Sequence, residues 1–185
     1  MDALTALTTR VSPIRLAEPA PSPDALAAML AAAGAAPDHG RLKPWRFIRI
    51  EGAERLRFGE LLAQSLLRRE PEAPQAKLEA ERKKALRAPL VLVAAAALSD
   101  NPKVPQVEQI VAVGAAVENL LLAAHALGYG GFWRTGAAAY DAGLKSQLGL
   151  AAGDAIVGFL YLGTIETPGA ARAGDHAPTL LPLPG

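Results

Sequence analysis

The chain contains no cysteine. That excludes disulfides, thiolate nucleophiles and cysteine-ligated metals, and it is compatible with a reducing cytoplasm. Charge of one sign is also missing. Nineteen basic and 18 acidic residues leave a formal net charge of +1, so no electrostatic footprint for nucleic acid is present. Aromatic residues make up only 5% of the chain. The N-terminus, "MDALTALTTR", lacks the long apolar core of a secretory signal. The stretch "PLVLVAAAAL" (89–98) is too short to span a bilayer. "IVAVGAAVENLLLAAHALG" (110–128) is long enough but carries Glu118, Asn119 and His125. The expectation is a cytoplasmic protein with no membrane partner.

Catalytic signatures are absent as well. His39, His125 and His176 have no metal-ligand spacing with one another or with a carboxylate. There is no G-x-S-x-G, no P-loop and no evident Ser-His-Asp set. "GYGGFW" (128–133) follows a helix and precedes a strand, the reverse of the order a dinucleotide fingerprint requires.

What the chain does have is alanine, a strong helix former, and a length of 185 residues, which suits one domain. We expect a single domain over 1–185, with 166–185 as an extended C-terminal arm containing four prolines. Helices are expected over 2–9, from Ser22 (N-cap, with Pro23 and Asp24 in the first turn) to Gly34, over 53–69, over 74–87, over 106–128 and within 137–150. The 74–87 helix reads as a solvated face carrying a Glu79–Lys83 pair, and the longest helix, apolar on most sides, reads as central. Strands are expected at 46–50, at 89–97, in the glycine-rich 129–136 segment and at 155–166, the last long enough for a sheet centre. Without strict βαβ alternation this is an α+β fold, an antiparallel or mixed sheet flanked by helices. The long apolar helix and extended tail suggest a homodimer with crossing arms.

The unusual polar residues are arginines beside turns: Arg10 and Arg15 in "RVSPIR", and Arg134 after the glycine-rich segment, with Trp45 and Trp133 near turns. Guanidinium groups recognise phosphate bidentately. A chain without nucleophiles or metal ligands, but with such arginines and aromatics, suits the binding of a phosphorylated cofactor that carries the chemistry itself.

Six blocks in order, "RVSPIRLAEPAP", "APDHGRLKPWRFIRIEG", "ALRAPLVLV", "NPKVPQVEQ", "GYGGFWRTG" and "IVGFLYLGT", are together similar to the nitroreductase family of flavoenzymes, particularly its minimal-length bacterial members. The resemblance implies an intertwined homodimer with FMN at the subunit interface and NAD(P)H as reductant. It implies that Arg10 pairs with the FMN phosphate and that Ser12 donates a hydroxyl hydrogen bond there. Val11, standing where many relatives have a second Arg, contributes backbone only. Ala35 and His39 reach the flavin from the neighbouring subunit. In "APDHGRLKPW" an Asn common in larger relatives is missing, and His39 is the candidate substitute donor. Trp133 packs beside the ring, Arg134 and the Thr135–Gly136 amides face its N5 and pyrimidine side, and Arg172 is a candidate phosphate ligand. The implied reaction is ping-pong, with hydride passing from NAD(P)H through flavin N5 to a nitroaromatic or quinone acceptor. The alternatives are a flavin-dependent dehydrogenase of one metabolite, or an FMN-binding protein without turnover.

Overall fold

A computed structural model describes residues 1–170 and 178–183. One long strand organises it. β5 (Ala155–Thr167) pairs antiparallel with β1 (Arg15–Ala17), β3 (Leu90–Ala96) and β4 (Gly130–Arg134), and β2 (Trp45–Glu51) completes the sheet on β3. β1 has no counterpart in the sequence reading. Three residues are too few to show a period, and the strand forms because it lies along the last turns of β5.

Side chains alternate across the sheet. On one face Leu90, Leu92, Leu160 and Leu162 pack against α2 (Pro23–Gly34) and α5 (Gln106–Ala126). On the other, Val91, Val93, Phe159 and Tyr161 pack against Phe58 and Leu62 of α3 (Glu54–Arg69) and Leu144 of α6 (Ala142–Gln147). β3 is buried at every position, so it reads as a continuous apolar run and not as an alternating strand.

α5 is the one helix among the described residues long and apolar enough to cross a membrane. Its buried positions are Gln109, Ala112, Val113, Ala116, Val117, Leu120, Leu121 and Ala124. That i, i+3, i+4 spacing makes a seam against the sheet. The buried Gln109 holds the preceding loop, accepting from Ser99 N and donating to the carbonyls of Ser99 and Val104.

The N-terminal helix α1 (Ala3–Thr9) is capped by Asp2, whose side chain accepts from Thr5 N, and α2 is capped as expected by Ser22. The polar helix is α4 (Gln75–Lys84). It is not only a solvated face. A Cβ added to Gly59 of α3 would lie 2.7 Å from the Arg82 carbonyl oxygen, so a glycine is needed for the two helices to approach this closely. The expected Glu79–Lys83 pair does not form. Glu79 binds Arg82, which also reaches back to Glu60 of α3 at 2.7 Å and holds that carboxyl below the usual carboxylate range. An i,i+3 pair within α4 takes the place of the i,i+4 pair, and Arg82 links it to α3. The extended tail begins after Thr167 and not at 166, and residues 178–183 carry no regular structure.

Asp141 caps α6, accepting from Leu144 N, and receives two nitrogens of Arg68 from α3, the shorter contact at 2.6 Å. The Arg68 hydrogen bond is the main reason its carboxyl titrates below the ordinary value. A depressed native pKa contributes stability that is complete above about pH 4, the unfolded value, and is lost as pH falls through the folded value. Screening at the half-exposed Arg68 holds the contribution to about 1 kcal/mol. Asp141→Asn, which keeps the cap but not the charge, should therefore lower stability by about this amount at pH 7 and flatten the acid limb below about pH 4. Denaturant titrations across a pH series measure this, and identical pH slopes for both proteins would contradict it.

Candidate functional site

The first turn after α1 is tied to α5 twice. Arg10, with a side chain only 14% exposed, donates Nε–H to Glu118 Oε1 at 3.3 Å. Thr9 Oγ1 lies 3.0 Å from His125 Nε2. Glu118 and His125 are seven residues apart and so share one helix face. The terminal nitrogens of Arg10 make no hydrogen bond among the described residues, so the fork end of the guanidinium is unengaged. On the far side Ile14 N donates to the Thr167 carbonyl. The Ser12 carbonyl backs onto Gly169, where an added Cβ would sit 2.0 Å from it. Val11 is half-buried and Ser12 exposed. Arg15 serves the turn: its Nε is 3.0 Å from Glu166 on β5.

β4 divides the "GFWRT" segment between two sides. Phe132 stacks on Tyr161 with ring centroids 4.8 Å apart, and Arg134 lies over Phe132 at 5.5 Å. Both belong to the α3 side. Trp133 turns the other way, towards α5. Its Nε1–H donates to the Val157 carbonyl at 3.1 Å, and its ring lies across Gly158 with its far edge near Gly114. Trp133 and Arg134 therefore leave β4 on opposite sides.

Two adjoining hollows open on the α3 side. The larger, about 400 Å³, is lined by Ile14, Arg15, Leu16, Leu86, Arg87, Phe132 and Arg134. The smaller, about 170 Å³, shares Arg87 and Arg134 and adds Arg69, Glu81, Lys84, the Thr135–Gly136 backbone, Phe159 and Tyr161. Gly136, at φ +134°, holds a conformation open to glycine alone. Burial raises the Tyr161 phenol above its usual range, and the fields of Arg87 and Arg134 offset part of that rise.

Ala35 and His39 lie elsewhere. Ala35 is the exposed C-cap of α2. His39 Nδ1 is 2.5 Å from Glu108 Oε2 of α5, at the edge of a hollow of about 440 Å³ lined by Pro37, Val107, Val111, Ala112 and Ala115. His39 lines this hollow and Arg134 the two on the α3 side, so among the described residues the two lie apart. Arg172 falls outside the described residues. Sequence reasoning assigned no role to Arg69, Lys84, Arg87 or Tyr161. The available signal for Arg87 was a basic residue directly before the apolar run at 90–96; Tyr161, inside a continuous apolar strand, gave none.

An alanine Cβ at Gly158 would come within 1.9 Å of Trp133 Nε1. In a Trp45→Phe background, which isolates one indole, Gly158→Ala should expel Trp133 from its seat and cost roughly 1–3 kcal/mol. The expected readout is a red-shifted emission maximum; an unchanged spectrum would refute the described packing.

The family model described as "Nitroreductase family" matches residues 15–164. The Escherichia coli K12 protein named "Putative NAD(P)H nitroreductase YdjA" is 39% identical over 97% of either chain. A Haemophilus influenzae protein named "Putative NAD(P)H nitroreductase" is 35% identical over 89% of either chain. Among solved structures, a nitroreductase-like family protein from Bacillus cereus superposes with a TM-score of 0.80 at 25% identity, over 95% of this chain and 91% of that one. A Desulfovibrio desulfuricans structure described as "a putative nitroreductase in complex with fmn" superposes at 0.70, also 25% identical, over 100% and 98%. With an antiparallel sheet between helices in the same arrangement, this chain belongs to the nitroreductase family.

Proposed function

We propose that the protein is an FMN-dependent NAD(P)H oxidoreductase that reduces nitroaromatic or quinone-type acceptors by a ping-pong cycle, acting as a cytoplasmic homodimer with FMN at the subunit interface. Family membership supports the reaction class. The name of the E. coli relative and the FMN held by the D. desulfuricans neighbour support the coenzymes. The observation that carries the cofactor assignment is Arg10: largely buried, aligned by Glu118 through Nε alone, with its fork end unengaged. Such a group suits a phosphate dianion.

The residues present fit the cofactor. Arg10 keeps its fork end unengaged and Ser12, two positions on, is exposed, which suits the phosphate end; neither residue lines the larger hollow. Arg10 and the Ser12 hydroxyl would hold the phosphate, with the Val11 backbone beside them. Arg134 and the Thr135–Gly136 amides would meet the ring edge, where a fixed positive charge and backbone donors favour added electron density. Bound FMN supplies two-electron redox chemistry that none of the side chains offers. Trp133, clamped on Gly158, would stand behind the segment that meets the ring and keep its backbone in place.

Ala35 and His39 would approach from the partner subunit. The separation of the His39–Glu108 pair from Arg134 within one protomer supports that reading. The exposed apolar residues Val107 and Val111 beside the pair, and Leu4 and Leu7 on α1, suit a buried subunit contact.

The purified protein should carry flavin absorbance that NADH or NADPH bleaches and a nitroaromatic or quinone restores. A colourless chain that takes up no added FMN, or bound flavin that no acceptor reoxidises, would overturn the proposal. Arg10→Ala should raise the FMN dissociation constant at least about tenfold, roughly 1.4 kcal/mol, in a flavin-fluorescence titration. Unchanged affinity would remove the phosphate assignment.

A further inference from the structure

The smaller hollow holds more positive charge than the acids beside it neutralise. Of its four cations, Lys84 is paired with Glu81. Arg69 donates to the Ser65 carbonyl and lies within the field of Asp141, a carboxylate already paired with Arg68, and neither Arg87 nor Arg134 makes an ion pair among the described residues. These three guanidiniums come from separate elements: the end of α3, the link after α4 and the end of β4. The fold therefore brings together charges that the sequence keeps far apart. Like charges gathered at one rim repel, an arrangement that an anion between them relieves.

The floor gives an independent indication. Tyr161 is 2% exposed and lines this hollow. Its hydroxyl has no hydrogen-bond partner among the described residues, and it is not one of the atoms sealed from solvent. A buried phenol ordinarily finds a partner. Here the ring is buried while the hydroxyl oxygen stays accessible in a hollow that Arg69, Arg87 and Arg134 also line. Phe132 stacked on its ring fixes its position. A rigid neutral donor below and planar charged donors above match a group with several acceptor oxygens and a negative charge.

We propose that this hollow is an oxyanion subsite, formed by Arg69, Arg87 and Arg134 over the Tyr161 hydroxyl, and that it takes a carboxylate or phosphate group of one of the enzyme's substrates. This rests on the oxidoreductase reading for the word substrate; the anion site itself does not. Two sources carry that chemistry: a carboxylate on the electron acceptor, or the 2′-phosphate that distinguishes NADPH from NADH. Either way, Arg69, Arg87 and the Tyr161 hydroxyl add a charged contact beside the ring edge assigned to Arg134, and that contact acts on selection among substrates.

The test uses the protein as purified, with Arg69→Met, Arg87→Met and Tyr161→Phe. The last keeps the ring that stacks on Phe132 and removes only the hydroxyl. Melting temperature is measured in sulfate against chloride at equal ionic strength. The wild type is expected to melt several degrees higher in sulfate, and each variant to lose at least half of that shift. Equal shifts in all four proteins would mean an adventitious ion only and overturn the site. kcat/KM is then compared for 4-nitrobenzoate against nitrobenzene and for NADPH against NADH. In the variants the member of one pair that carries the additional anionic group should fall about tenfold while the member lacking it changes less than twofold. The affected pair identifies the source. If both pairs stay put, or the two members of a pair fall together, the substrate assignment is wrong. A protein that responds to sulfate but never retains FMN would refute the oxidoreductase reading and leave the anion site standing.

Discussion

The structure depends on β5 having partners for its whole length. β3 pairs along Ala155–Leu162, β4 along Phe159–Gly163, and β1 takes up the pairing to Thr167. Because successive side chains of a strand point to opposite faces, this one segment supplies both hydrophobic layers, Leu160 and Leu162 to α5, Phe159 and Tyr161 to α3. The same alternation in β4 separates Trp133 from Arg134. The chemistry-bearing side chains are thus sorted to one side or the other by strand parity. A one-residue slip of β4 would exchange them and turn Phe132 away from Tyr161.

Much of this order was legible in advance, for identifiable reasons. Ser22 with Pro23 and Asp24 marks a helix start through local hydrogen bonding and geometry, and the structure has that cap. α5 announces itself through its length and its apolar sides, and β5 through its length. What could not be read was whatever arises between distant segments. β1 exists only because β5 extends beside it. Arg82 pairs with Glu60 on another helix as well as with Glu79, and the first contact is invisible in the local sequence. Adjacent numbering gives no hint that the side chains of Trp133 and Arg134 part across a strand.

The candidate site divides in the same way. Arg10 stood out as an arginine at a turn with no local acid, and the structure adds what the sequence concealed, a carboxylate 108 positions later that engages one nitrogen and leaves the fork end unengaged. Arg15, alike in composition and context, has a different fate because strand pairing sets it beside Glu166. Arg69 and Arg87 sit in stretches rich in charge, where one guanidinium looks like any other. Only their placement around Tyr161 distinguishes them.

α5 carries the partners of both outlying residues: Glu108 meets His39, and Glu118 meets Arg10. Ten residues of helix separate the two carboxylates, a rise of about 15 Å. A continuous, well-packed helix acts as a spacer bar, so the two anchor points are metered by backbone geometry and not by any contact between the residues they hold. Loops at either end can vary in length or composition without altering that separation.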